Sequence, residues 1–303
     1  MTLSSPSDIT IPVQFHEIVD EITRFSGLPQ SVVEDRTWQE AIDFGSNVRN
    51  DVVRFEVTPH QFNDRMEELY RQGDGFIFET LVSWATPGRR KWIEQALERL
   101  RKFQARTECP SPRILMLGDG AGNDSLFLAK HGFGVDYFDF PGSKTYQFAV
   151  KRFGHRQLLN DRIRLVTNYG DCLVGTYDAV ICFEVLEHVP EPLKIIGDLR
   201  QILRLGGIAL VTESFGAVRN DLPTHLKANL RYEGRTPFVF LKNNMRLSWY
   251  SVDPPYKPLE FTRVPSVTAE MYLQLFEDRR VMADLMRGAV MPLVRSIRRW
   301  RSD

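Results

Sequence analysis

Two stretches carry residues whose types and spacing can do chemistry. The first is Gly118-Asp119-Gly120-Ala121-Gly122, which follows the apolar run Ile114 to Leu117 directly. Glycines at alternate positions let a chain turn sharply and bring backbone N–H groups close to a ligand. The second is Phe183-Glu184-Val185-Leu186-Glu187-His188. A helix beginning there would put Glu184, Glu187 and His188 at i, i+3 and i+4 on one face. Two carboxylates and an imidazole so placed can bind a divalent cation, magnesium or zinc, or remove a proton from a substrate. His225, in Thr224-His225-Leu226, is a candidate further ligand. The plainer alternative is that Glu187-His188 only opens a helix, with His188 orienting the loop.

The glycine turn narrows the choice of ligand. A dinucleotide fingerprint needs a glycine where this chain has Asn123, and no Gly-Lys-Ser/Thr phosphate loop follows. Asp119 and Asp124 would repel a pyrophosphate but suit a cation. S-adenosylmethionine carries a sulfonium and an ammonium and no phosphate. Asp139 follows about 20 residues on, where an acidic residue can hold ribose hydroxyls. Phe140 beside it can pack on adenine. Asp171, next to the apolar Cys172, can accept from the adenine amino group, and Phe183 closes the strand beside the expected methyl donor. Each signal alone also fits a solvated turn. Their common place at strand ends makes the case, since open α/β sheets bind ligands along that edge.

The elements that must position these residues follow from periodicity. Ile114 to Gly118, Val135 to Phe140, Ile163 to Thr167, Tyr177 to Phe183 and Ile208 to Thr212 read as strands. Between them, Tyr146 to Phe153 and Leu193 to Leu203 read as helices, the second closed by glycines in Arg204-Leu205-Gly206-Gly207. This alternation predicts a doubly wound parallel sheet. Upstream, Phe15 to Phe25, Asp35 to Phe44, Thr58 to Tyr70 (with Thr58 and Gln61 as a capping box) and Arg89 to Gln104 read as helices. Arg246 to Val252 and Leu259 to Val264 are strands joined by Asp253-Pro254-Pro255-Tyr256-Lys257-Pro258. Thr268 to Trp300 reads as helical, interrupted at Gly288 and Pro292. The expected units are a helical segment over residues 1–105, a ligand-binding domain over 106–265 and an amphipathic helical tail over 266–303.

These motifs together resemble class I S-adenosylmethionine-dependent methyltransferases. The resemblance rests on LGDGAG (Leu117 to Gly122), Asp139, GDCL (Gly170 to Leu173), YDAVICFEVLEHVPEP (Tyr177 to Pro192) and RLGGIALVTE (Arg204 to Glu213). It implies a Rossmann-like, seven-stranded, mostly parallel sheet whose last strand is antiparallel. The Glu184/Glu187/His188 stretch is similar to that of quinone-biosynthesis O-methyltransferases and small-RNA 2′-O-methyltransferases, where such residues hold a metal against the acceptor oxygens. One departure stands out. The family carries an acidic residue two positions before the first glycine, and here it is Met116.

The totals bound the alternatives. The 303 residues carry 39 basic and 39 acidic side chains, which argues against binding nucleic acid through bulk charge. The DPPY at Asp253 matches a motif of amino-methyltransferases acting on nucleic acid, but it does not follow the fourth strand, so a proline turn is expected. The N-terminus lacks a basic start and an apolar core, so no signal peptide and a cytoplasmic location are expected. The basic amphipathic tail (Val290, Leu293, Val294 and Ile297 opposite Arg295, Arg298 and Arg299) predicts docking on protein, with peripheral membrane contact as the alternative. Trp38, Trp84 and Trp92 are expected in the core or at a homodimer contact. His225, Arg231, Tyr232, Arg235, Phe238 and Phe240 suit a polar acceptor or an ordinary lid. The expected function is methyl transfer to a hydroxyl oxygen of a small molecule such as a sugar or phenol. Transfer to nitrogen, carbon or RNA ribose is the first alternative, and an inactive cofactor-binding regulatory protein the second.

Overall fold

The computed structural model describes residues 9–254 and 256–300, with side chains described up to residue 291. Seven strands form one sheet: β1 Ile114–Leu117, β2 Val135–Phe138, β3 Ile163–Leu165, β4 Tyr177–Phe183, β5 Leu203–Thr212, β6 Met245–Tyr250 and β7 Leu259–Arg263. Their order is β3-β2-β1-β4-β5-β7-β6, with β7 antiparallel to both neighbours and the pairs among β1 to β5 parallel. Helices surround the sheet: α1 Phe15–Ser26, α2 Gln30–Ile42, α3 Ser46–Arg54, α4 Asp64–Gln72, α5 Gly75–Ala85, α6 Pro87–Thr107, α7 Asn123–Lys130, α8 Lys144–His155, α9 Tyr169–Val174, α10 Pro192–Ile202, α11 Thr236–Lys242, α12 Ala269–Glu277 and α13 Arg279–Trp300.

The apolar runs of the central strands reflect burial on both faces. Ile114, Met116, Ala179, Ile181, Ile208 and Leu210 face a core shared with Ile93, Leu97 and Leu100 of α6. Leu115, Leu117, Val180, Cys182, Ala209 and Val211 face another, with Ile196 and Leu199 of α10. Strand order reverses direction between β1 and β4, so the crevice beyond their carboxyl ends is the topological switch point. The glycine turn leaves β1 there, and the Glu184 loop leaves β4 there. Helix α5 covers the turn: Asn123 Nδ2 donates to the Thr80 carbonyl at 3.3 Å.

Several local expectations are corrected. The chain from Glu184 to Glu191 is loop and turn, and α10 begins only at Pro192. Leu203 is drawn into pairing with Tyr177, so Arg204 to Gly207 belong to β5 instead of capping a helix. Thr58 and Gln61 lie in a connecting segment; the cap of α4 is Asn63, whose side chain accepts from Met66 N–H. Asp171-Cys172 sits in α9. Helix α13 is continuous through Gly288, which lies against the backbone of Glu233. The side chains of residues 293–299, on which the tail reading turned, lie outside the described ones. Trp84 is buried in the core, whereas Trp38 is exposed.

Gly122 is held in the left-handed region at φ 80°, and a Cβ there would fall 2.3 Å from the Phe153 ring. Gly122→Ala therefore combines backbone strain with overpacking. It should destabilise the fold by about 3 kcal/mol, read as a lower urea midpoint at unchanged slope.

Candidate active site

At the glycine turn most of the acidic groups are committed to local partners. Asp119 accepts from the Asp124 and Ser125 N–H groups at 3.0 and 2.7 Å, capping α7. Burial and the neighbouring Asp124 push Asp119 up to about 8. Asp124 is paired bidentately with Arg89 at 3.2 and 2.7 Å. That guanidinium is enclosed by the Trp84, Trp92 and Phe183 rings. The two carboxylates expected to attract a cationic ligand are thus committed within the protein, Asp119 to the first amides of α7 and Asp124 to Arg89. Asp139 reaches back from the end of β2, where its Oδ2 accepts from Gly120 N–H at 2.6 Å. Met116 is buried in the core, so the carboxylate bonded to this turn's amides arrives from the next strand. Phe140 lies beneath the Arg71 guanidinium, 4.7 Å from its ring centroid. Asp171 is exposed and Cys172 buried beneath it, with burial pushing the thiol up to about 11. Gly118, at φ 77°, is needed for contact between the loops: a Cβ there would meet Val185 at 2.4 Å.

At the β4 loop, Glu184 has φ 52°, a backbone state uncommon for residues other than glycine. Its N–H donates to Thr212 Oγ1 at 2.9 Å, locking the loop to the end of β5. This turns the Glu184 side chain toward Lys257 and Ser214, at 3.0 and 2.6 Å. Burial works against the Glu184 charge, but the ammonium outweighs it and holds the carboxyl well below the usual range. Glu187 and His188 instead converge on His225, with one ligating atom from each lying within 4.8 Å of the others. Asn229 fixes that loop by donating to the Leu186, Glu187 and Val189 carbonyls.

The cluster is poised for ligation or proton removal. No donor from another residue reaches the two buried Glu187 oxygens, which face the Glu184 carboxyl, and His225 Nδ1 is buried without a hydrogen-bond partner. Burial and then the Glu184 charge raise Glu187 well above its ordinary value. Burial and then His225 bring His188 down to about 3, and burial brings His225 to about 4. His188 Nδ1 lies 3.3 Å from the Thr224 carbonyl and 3.1 Å from the Tyr70 hydroxyl. In the tautomer whose Nδ1–H donates to the Thr224 carbonyl, Nε2 keeps its lone pair. Two neutral imidazoles and a carboxylate that no donor from another residue reaches fit a divalent cation.

Sequence reasoning named Glu184, Glu187, His188 and His225, of which the last three converge, and did not anticipate Arg89, Tyr70 or Lys257 beside them. Arg89 and Tyr70 come from the helical segment, and Lys257 reaches in from the turn between β6 and β7. A cavity of about 270 Å³ adjoins this side, lined by Ser214, Thr236, Tyr250, Tyr256, Lys257 and Arg280 among others. A larger cavity of about 740 Å³ lies at the amino ends of β1 and β2, against Arg113, Gly134 and Arg164. It is at the opposite edge of the sheet from the crevice, whereas the smaller cavity meets the site only through Ser214 and Lys257, the partners of Glu184.

The profile of the methyltransferase-domain family matches residues 89–279, more than half of the chain. The protein belongs to this methyltransferase family. A ubiquinone biosynthesis O-methyltransferase from Xanthomonas campestris pv. campestris is 32% identical over 109 residues, 36% of this chain and 46% of its own length. The namesake from Xylella fastidiosa is 28% identical over 153 residues, 49% of this chain and 62% of its own. The chain thus spans about half the length of these curated methyltransferase relatives. A solved O-methyltransferase family protein from Burkholderia thailandensis aligns over 82% of this chain and 72% of its own, at 12% identity and a TM-score of 0.45, a likeness too remote to bear on activity.

Burying two neutral histidines makes this methyltransferase sensitive to acid. Unfolded histidines bind protons near pH 6.5, and the folded ones do so only near 3 and 4. Their contribution is therefore present above pH 6.5 and lost as pH falls toward 4. In chelator-treated protein, replacing both by Asn should flatten the stability-versus-pH slope near pH 5 by roughly 2–3 kcal/mol per pH unit. An unchanged slope in denaturation series would contradict two buried neutral imidazoles.

Proposed function

We propose that this protein transfers a methyl group from S-adenosylmethionine to a hydroxyl oxygen of a small-molecule acceptor. The observation that carries the reading is the convergence of Glu187, His188 and His225 at the end of β4, beside the glycine turn of β1. S-adenosylmethionine supplies an electrophilic methyl on a sulfonium. In this reading Asp139 and Phe140, at the end of β2, receive the ribose and adenine, and the turn amides face the methionyl end. Asp119 and Asp124 act through the turn, by holding its shape, instead of meeting the ligand's charge.

The acceptor side is built by elements outside the parallel strands. The cavity walled by Tyr250 and Tyr256 matches a compact ring bearing hydroxyls, such as a phenol or sugar. The names of the curated relatives agree with an oxygen acceptor. Glu187, His188 and His225 would hold a divalent cation, whose chemistry there is to lower the pKa of an acceptor hydroxyl. In the tautomer with its hydrogen on Nδ1, His188 has the Nε2 lone pair free at pH 7, as either ligation or proton removal requires. Tyr70 and the Thr224 carbonyl keep that imidazole in one orientation.

A screen of hydroxylated acceptors, with mass detection of a methyl gain, tests this alongside calorimetry. S-adenosylmethionine and its demethylated product should both bind. His188→Ala should lower turnover on the acceptor found by about 100-fold or more, with cofactor affinity nearly unchanged. Binding of neither compound would end the reading, and full turnover by His188→Ala, retained in the presence of chelator, would remove the cluster from it.

A further inference from the structure

Lys257 is a half-buried lysine outside the elements that define the fold's ligand edge. Its ammonium donates to Glu184 Oε1 at 3.0 Å, to Ser214 Oγ at 2.9 Å and to the Glu213 carbonyl. All three of its protons are therefore used. Ser214 donates in turn to the other Glu184 oxygen at 2.6 Å. Both oxygens of Glu184 are thus occupied by donors, while no donor from another residue reaches the two buried oxygens of Glu187, which face the Glu184 carboxyl instead. Two carboxylates three residues apart have been given opposite fates.

We propose that Lys257 is a built-in counter-cation that withholds Glu184 from the metal set. The cluster is then a Glu187–His188–His225 site with an open position, suited to zinc or cobalt and not to magnesium. This rests on the reading of the cluster as a cation site. Two imidazoles and one carboxylate form the donor set of open zinc sites. Magnesium prefers an octahedron of oxygens and is poorly served by two nitrogens. Freeing Glu184 would add an oxygen donor and a negative charge. The Lys257 ammonium both occupies that carboxylate and repels a second cation placed near it. Lys257 therefore acts as a positioning residue for Glu184, and through it sets which metal the cluster takes.

The test is metal binding to the full chain, by equilibrium dialysis with zinc, manganese and magnesium and by the visible spectrum of the cobalt form. The wild type should bind zinc, show no binding of magnesium at millimolar concentration, and give the intense cobalt bands of a four- or five-coordinate site. Glu187→Gln should weaken zinc roughly 100-fold, and Glu184→Gln by less than about threefold. Lys257→Met should gain roughly tenfold or more in manganese and magnesium affinity and dim the cobalt bands as Glu184 joins the ion. Lys257→Arg, which keeps the cation, should match the wild type. Equal zinc losses in Glu184→Gln and Glu187→Gln would overturn the proposal, as would no gain in a folded Lys257→Met. If Lys257→Met does not fold, the two glutamate variants decide. No metal binding by the wild type overturns the inference too. S-adenosylmethionine binding, measured on the same samples, separately judges the methyl-transfer reading.

Discussion

Buried negative charge is the constraint on which this structure depends. The crevice between β1 and β4 collects the buried Asp124 and Glu187 and the half-buried Asp119, Asp139 and Glu184 from the ends of β1, β2 and β4, which the topology forces together. An uncompensated carboxylate in such a place costs several kcal/mol or holds a proton. Each has its own resolution here. Asp124 is held by Arg89, Glu184 by Lys257, and Asp139 by the amides of Gly120 and Phe140. Asp119 and Glu187 are shifted toward the protonated form. Of these, Glu187 alone receives no donor from another residue on either oxygen, and so it is the group with capacity to spare for a ligand.

The compensating cations come from outside the parallel strands. Arg89 begins α6, and Lys257 lies in the turn between β6 and β7. A third, Arg152 of α8, is fully buried and donates to Glu21, to Asn123 and to the Ala121 carbonyl. It ties α1 to the glycine turn, and it gives Asn123 a structural reason to stand where a dinucleotide-binding turn would have glycine. The helical segment before the sheet is therefore part of the site's electrostatics as well as its cover. Tyr70 extends the same logic, since an N-terminal helix steadies the imidazole that the β4 loop presents.

What could be read in the sequence follows from the range of the interactions involved. The central strands were legible because burial on both faces leaves continuous apolar runs. The glycine turn was legible because Gly118 and Gly122 answer local demands. His225 joined Glu187 and His188 as anticipated, although the helix invoked to align Glu184 with them does not form. The left-handed backbone at Glu184 is imposed by its bond to Thr212, a contact between strands that no local pattern encodes. The reach of Lys257 into the site was hidden for a similar reason: Asp253-Pro254-Pro255-Tyr256 announces a turn but not where the next side chain lands. Helices α3 and α5 escaped notice because α3 is short and polar, with only Val48 and Val52 as buried apolar residues, and α5 is apolar on most sides and shows no clear stripe.

The account stands or falls on what occupies the crevice between β1 and β4. A crystal structure of the full chain grown with S-adenosylhomocysteine and zinc, with anomalous data collected at the zinc edge, would examine this directly. The account predicts the ribose against Asp139, an anomalous peak within bonding distance of Glu187, His188 and His225, and Glu184 still paired with Lys257. A nucleoside seated away from the glycine turn, or a zinc ion bound through Glu184 with Lys257 displaced, would contradict it.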